Sequence, residues 1–314
     1  MFISNLFKYF PQNIGNMLEE YFKKNDQNLY ISLEEIRLRA NKPIVLKFNQ
    51  NEKVFDYNVQ IEEILETLRI ICENSIYSYQ NQICNGYITI KGGHRVGITG
   101  NVVIENKKIV NINYISSLNF RIAKQIIGCS NKILKYVIDG ENNSIFNTLI
   151  VSPPGAGKTT ILRDLIRKIS SGIETMHFKG LTVGLVDERG EIAAMYKGIP
   201  QNDVGLKTDI LDNIPKAIGM KMLIRSMSPN VIAADEIGSS EDVEAIHYAV
   251  CSGIKGIFTA HGGSLEDLAL NPALKCLMNT HIFERIIFLN NKGIKGEVEK
   301  AYNLNKINSD YVLY

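Results

Sequence analysis

An α/β fold is predicted for this chain: a parallel-sheet half preceded by a smaller α+β region. Three observations predict it. Short apolar runs at 145–151, 181–186, 231–234 and 256–259 alternate with helical stretches. Strands apolar along their whole length suit a parallel sheet covered on both faces. A glycine-containing turn, SPPGAGKTT (152–160), joins the first run to a helical segment, ILRDLIRKI. Before about residue 140 that alternation is missing, and β-rich segments punctuated by glycine take its place.

A chain of 314 residues makes one large or two ordinary domains, and the change of pattern divides it at 1–140 and 141–314. Hydrophobic residues are 45% and charged residues 22%, which excludes disorder as the main state and provides for a sizeable core. A net charge of +2 does not demand a basic face for nucleic acid. Cys72, Cys84, Cys129, Cys251 and Cys276 form no C-x-x-C pair, so they read as buried small hydrophobes in a reducing compartment. No apolar run reaches the ~20 residues that cross a bilayer, and MFISNLFKYF is a poor signal peptide because Lys8 interrupts it. A cytoplasmic protein is expected.

In the first region, Phe2, Ile3, Leu6, Phe7 and Phe10 fall at helical spacing, and Ile14, Met17, Leu18, Tyr21 and Phe22 repeat it after Pro11. Two short amphipathic helices are expected, covering the core; contact of residues 2–10 with a membrane is the alternative. Strands are expected at 36–39 and 44–48, separated by Asn-Lys-Pro, and a helix over 61–71. Residues 86–115 read as a hairpin-like run. Its Lys91, His94, Arg95, Lys107 and Lys108 are either a solvated face or a nucleic-acid patch.

The strand–loop–helix setting of 152–160 is that of a Walker A phosphate loop. Ser152, Pro153, Pro154, Gly155, Ala156, Gly157, Lys158, Thr159 and Thr160 are the expected nucleotide-binding residues. Glycines let the backbone curl so that its N–H groups converge on phosphate oxygens, and the helix N-terminus adds partial positive charge. Lys158 reaches the β- and γ-phosphates, and the Thr159 hydroxyl is placed for Mg²⁺. Ser152 stands where the pattern has its first glycine; a positive φ there would cost strain.

The apolar run 231–234 delivers Asp235 and Glu236 at its C-terminal end, where open α/β sheets bind ligands. Asp235 is the expected Mg²⁺ residue and Glu236 the general base that polarises water. This pair argues for ATP hydrolysis over a nucleotide-gated scaffold. His261, in TAHGGS, ends the next run and either senses the γ-phosphate or is structural. Asp187, Glu188 and Arg189 also end a run; they position water or metal, or form a salt-bridged turn. This half reads as a RecA-like P-loop domain.

The segments EIRLRANKPI, GYITIKGGHRVGITG, LNFRIAKQI, SPPGAGKTTILRD, VDERGEIA, MSPNVIAADEIG and TAHGG together resemble the stage III sporulation protein AA family, relatives of the hexameric ATPases of type II and type IV secretion. The resemblance covers nearly the whole chain. It implies a mother-cell ATPase, cytoplasmic and peripheral at a membrane through partners, acting with channel proteins of the sporulation apparatus. It also implies a homo-hexameric ring with ATP and Mg²⁺. A nucleic-acid-stimulated ATPase using the basic residues of 86–115 is the alternative function, but the near-neutral net charge favours a solvated face there, so nucleic acid is not an expected partner. Glu188 then looks like part of an acidic box, His261 like a histidine-box residue and Arg225 like a sensor. Arg37, Arg39, Arg95 and Arg121 are candidates to reach a nucleotide across a subunit or domain boundary.

Overall fold

The computed structural model describes residues 5–25, 29–49, 51–290, 295–305 and 310–314. They form two compact units, 1–124 with 195–201, and 125–194 with 202–314.

The first unit contains α1 (Gln12–Lys24), α2 (Leu29–Ser32), β1 (Leu33–Arg39), β2 (Pro43–Phe48), β3 (Glu52–Asn58), α3 (Ile61–Ile71), α4 (Gln80–Cys84), β4 (Tyr87–Thr89), β5 (Arg95–Glu105) and β6 (Lys108–Arg121). Its antiparallel sheet has the order β3-β2-β1-β6-β5-β4. Period-two alternation sorts the two faces. Ile36, Leu38, Val96, Leu118 and Phe120 point into the core with Ile14, Leu18, Phe22, Ile64 and Leu68 from the helices. The other parity places Glu35, Arg121 and Arg95 in one cross-strand row, Arg37 beside Asn119 in the next, and Arg39 beside Ser117 and Thr99 in the third. All four candidate arginines therefore share one sheet face. Arg37 donates to Glu35, and the Arg95 guanidinium lies 4.6 Å from the centroid of the Tyr87 ring.

Among the described residues of the helix expected over 2–10, Phe7–Tyr9 form a 3-10 turn, and it ends at Phe10 because Pro11 forces extended backbone there. Leu6, Phe7 and Phe10 are buried in the core, and Phe10 packs 4.4 Å from Phe120. Phe2 and Ile3 lie outside the described residues. Of the cysteines only Cys72 is buried; Cys84 and Cys129 are half-buried, and Cys251 and Cys276 are exposed free thiols, so the reading as buried hydrophobes holds for one of the five.

The expected basic cluster does not form. His94 is buried, and burial pushes its pKa down to about 4, so the ring is neutral. Its Nδ1 accepts the Ala123 N–H at 3.0 Å. Lys107 and Lys108 sit at the far turn of the β5–β6 hairpin, about 35 Å of strand from Arg95. Gly92 (φ +91°) turns the chain beside this histidine; a Cβ there would meet His94 Nε2 at 2.9 Å. The Gly92 N–H donates to Gln201 at 2.7 Å. Tyr196 and Lys197, from the same late segment, bond the two carboxylate oxygens of Glu73 at 2.6 and 2.5 Å.

The second unit contains α5 (Leu134–Val137), a two-residue pair β7 (Ile138–Asp139) and β8 (Ser144–Ile145), then β9 (Thr148–Ser152), α6 (Lys158–Ser171), β10 (Val183–Asp187), β11 (Thr208–Asp212), α7 (Lys216–Met227), β12 (Val231–Ala234), α8 (Ser240–Cys251), β13 (Lys255–His261), α9 (Leu265–Leu270), α10 (Pro272–Asn279), β14 (Arg285–Leu289), β15 (Val298–Asn305) and β16 (Asp310–Leu313). The sheet order is β11-β10-β12-β13-β9-β14-β15-β16, parallel from β11 to β14 and antiparallel beyond. Every residue of β9, β10, β12 and β14 is buried. Leu149, Val186, Ile232 and Phe258 pack with α7, α8 and α10, while α6 lies against β9, β10 and β13. The pattern change after Gly140 falls inside this unit, which reaches back to Gln125. The buried Asp164 carboxylate on α6 holds that stretch: it accepts the Gly128 N–H, the Ser130 N–H and the Ser130 hydroxyl.

The His94 environment has a sign that can be measured. Its folded pKa lies below the ordinary 6.5, so the unfolded chain binds the proton more readily between those values. The contribution is intact above pH 6.5 and is lost as pH falls towards 4, to a total of about 3 kcal/mol. Urea unfolding of wild type and His94→Asn between pH 7.5 and 4.5 is expected to show a flatter pH dependence in the variant.

Candidate nucleotide site

The parallel strands end at one edge of the sheet, and their ends build the site. Ser152 closes β9 as ordinary extended strand, so serine at the first loop position carries no left-handed strain. The chain then turns through Gly155 (φ +77°) and Gly157 (φ +96°) into α6. A Cβ at either glycine meets no atom within 4 Å, so backbone torsion rather than protein packing requires glycine, and the space over the loop is open for a ligand. Ala156 is buried and anchors the loop; Pro153 and Thr160 are half-buried, and Pro154 is exposed.

Lys158, the first residue of α6, folds its ammonium back over the loop. Nζ donates to the carbonyls of Ser152 (2.9 Å) and Pro153 (3.3 Å) and lies 3.1 Å from His261 Nδ1. Burial lowers its pKa, opposed by the charges of Asp235 and Glu236. An ammonium only donates, so Nδ1 is the acceptor and Nε2 carries the proton. That Nε2–H reaches Glu236 Oε1 at 3.0 Å. Arg189 holds the other oxygen of Glu236 at 2.6 Å.

The next residue, Thr159, donates its hydroxyl to Asp235 Oδ2 at 2.6 Å. Asp235 Oδ1 accepts the hydroxyl of Thr259, and that hydroxyl accepts the Glu236 N–H at 2.8 Å. Glu236 itself is left-handed, φ +53°, a conformation costly for a side chain with a Cβ. The turn aims two consecutive acids from one strand end, Asp235 towards α6 and Glu236 towards His261.

The acidic turn after β10 divides its tasks. Asp187 is buried and accepts the N–H groups of Glu191, Ile192 and Ala193, while Arg163 of α6 donates to the carbonyls of Glu191 and Ile192. These bonds shape the turn. Glu188 pairs with Lys216 at 2.6 Å, and Arg189 with Glu236, so the salt-bridged reading describes both. A cavity of about 20 Å³, room for roughly one water molecule, is lined by Asp187, Glu188, Arg189, Glu191, Lys216, Asp235 and Glu236.

Arg225 is not brought here. It lies near the C-terminal end of α7, 5.8 Å from the Tyr248 ring, at the edge where β12 begins. Lys216, nine residues earlier and about 14 Å along the helix axis, is the α7 residue at the site. Sequence reasoning missed Lys216, for which nothing in the local pattern speaks, and Thr259. A hydroxyl in a buried strand needs a partner, and that was the signal for Thr259.

The groups present fit nucleotide with Mg²⁺. Among the described residues no group of three or more His, Cys, Asp or Glu could enclose a metal. Mg²⁺ takes one or two carboxylates plus substrate phosphates, and Thr159 with Asp235 supplies a protein share of that kind.

Solved structures of other proteins share this fold. In solved structures, the Yersinia pseudotuberculosis ATPase DotB aligns over 92% of this chain and 80% of its own, with TM-score 0.58 and 13% identity. The pilus retraction motor PilT with bound ADP aligns over 94% and 80%, with TM-score 0.54 and 17% identity. The fold is therefore RecA-like with an N-terminal domain. The Bacillus subtilis (strain 168) stage III sporulation protein AA is 39% identical over 293 residues, 93% of this chain and 92% of that protein. The Arabidopsis thaliana protein SEEDLING PLASTID DEVELOPMENT 1 is 24% identical over 63% of this chain and 27% of its own length. The profile described as "Sporulation stage III, protein AA" matches residues 9–308, and the chain belongs to that family.

Proposed function

We propose that this chain binds ATP with Mg²⁺ and hydrolyses it to ADP and phosphate. One observation carries the reading: the phosphate loop, Asp235 and Glu236 meet at one sheet edge, joined through Thr159 and His261. Loop amides and the Lys158 ammonium bind the triphosphate, since both present positive charge to it. Thr159 and Asp235 would hold Mg²⁺, which supplies charge neutralisation at the phosphates when bound. Glu236 is the general base: its carboxylate, held by His261 and Arg189, borders the one-water cavity, from which it can accept a proton as the oxygen attacks the γ-phosphorus. His261 spans phosphate loop and base, which suits it to report the γ-phosphate to Glu236. Glu188 borders the same cavity and tunes it through Lys216.

The family and the fold support a role in endospore formation as a secretion-type ATPase, a ring of six copies working at a membrane with channel proteins. Among the described residues no helix is long and apolar enough to cross a membrane, so membrane work would pass through partners. The shared face of Arg37, Arg39, Arg95 and Arg121 supports a cationic contact to a nucleotide held by a neighbouring copy.

Purified variants test the reading. Glu236→Gln is expected to keep nucleotide affinity and lose about 10²–10⁴-fold in kcat, the usual worth of a positioned base. Phosphate release at the wild-type rate would sink the assignment. Lys158→Ala should lose binding and turnover together in the same assay. Asp235→Asn should abolish the Mg²⁺-dependent part of nucleotide affinity, read by titrating a fluorescent ADP with and without the ion.

A further inference from the structure

We propose that Thr259 is the positioning residue of this site, holding the metal-binding acid and the general base in one fixed relation. The proposal rests on the ATPase reading above and deepens it.

Thr259 is completely buried in β13, next to the end of β12. It bonds to three successive residues of the facing turn. Its hydroxyl proton goes to Asp235 Oδ1, and a hydroxyl lone pair takes the Glu236 N–H at 2.8 Å. Its carbonyl takes the Ile237 N–H at 2.8 Å. A hydroxyl has one proton to give, and a carboxylate can only accept it, so the Asp235 bond uses the proton and the Glu236 N–H meets a lone pair.

The need for such a clamp comes from Glu236. A left-handed residue with a Cβ persists only where its surroundings over-determine it. The N–H groups on both sides of its α-carbon are tied to Thr259, and relaxation to ordinary backbone would break both bonds. The same hydroxyl fixes Asp235 Oδ1, which leaves Oδ2 for Thr159. Without it the two acids can turn independently, and positioning is where much of the rate of such chemistry comes from.

Thr259→Val keeps shape and burial and removes only the hydroxyl. In the full chain three quantities should separate. Turnover number should fall about 10–100-fold, as expected for losing a hydrogen bond to a charged group. Affinity for a fluorescent ADP measured without Mg²⁺ should change by less than about 3-fold, because the loop is untouched. Amide exchange in the peptide spanning Glu236 and Ile237, measured without nucleotide, should quicken by about 10-fold or more. Thr259→Ser should restore all three. If the valine variant does not fold, Thr259→Ala replaces it in the same comparison with Ser. Unchanged exchange and turnover in a folded Val or Ala variant would overturn the proposal, as would a serine variant no better than valine. Faster exchange in Thr259→Val combined with normal turnover in Glu236→Gln would leave the clamp standing and remove Glu236 from its assigned role.

Discussion

Asp235 accepts one hydroxyl on each carboxylate oxygen, from Thr159 at the start of α6 and from Thr259 at the end of β13. Three separate stretches of chain are tied through that one side chain: α6, β12 and β13. The strands can meet it because the parallel sheet puts their carboxyl ends at one edge, and the helical crossovers that make neighbouring strands parallel also bury both faces. Core packing thus fixes the stage, and a carboxylate with two defined partners fixes the chemistry on it.

Around this tie runs a second line of contacts, from Lys158 through His261 to Glu236 and on to Arg189. It places an imidazole between an ammonium and a carboxylate, and a guanidinium on the carboxylate's other oxygen. Arg163 and Asp187 belong to the frame of this arrangement, holding the acidic turn in shape.

The first unit follows different physics. Its antiparallel sheet buries one face against helices and leaves the other polar, so four arginines gather in three neighbouring cross-strand rows. Alternation along each strand decides the face, and strand pairing decides the neighbours. The segment 195–201 joins this unit from much later in the chain, fastened by Glu73 and Gly92.

The turn between β9 and α6, the paired acids after an apolar strand and the α/β alternation were all legible in the sequence, because each is a local pattern with a local cause. Gly155 and Gly157 need their torsions whatever surrounds them. Asp235 and Glu236 follow directly from the end of β12. The family resemblance pointed to Arg225, but a helix has two ends, and packing of α7 against β10 brings Lys216 at its other end to the acids. His94 reads as a basic surface residue until burial removes its charge. Thr259 lies 23 residues from the amide it holds, a distance bridged only by strand pairing. Local order along the chain settled which chemical groups this protein carries and where its glycine-containing loop turns; which groups face one another was decided only on folding, because pairing and burial act between residues that the chain keeps far apart.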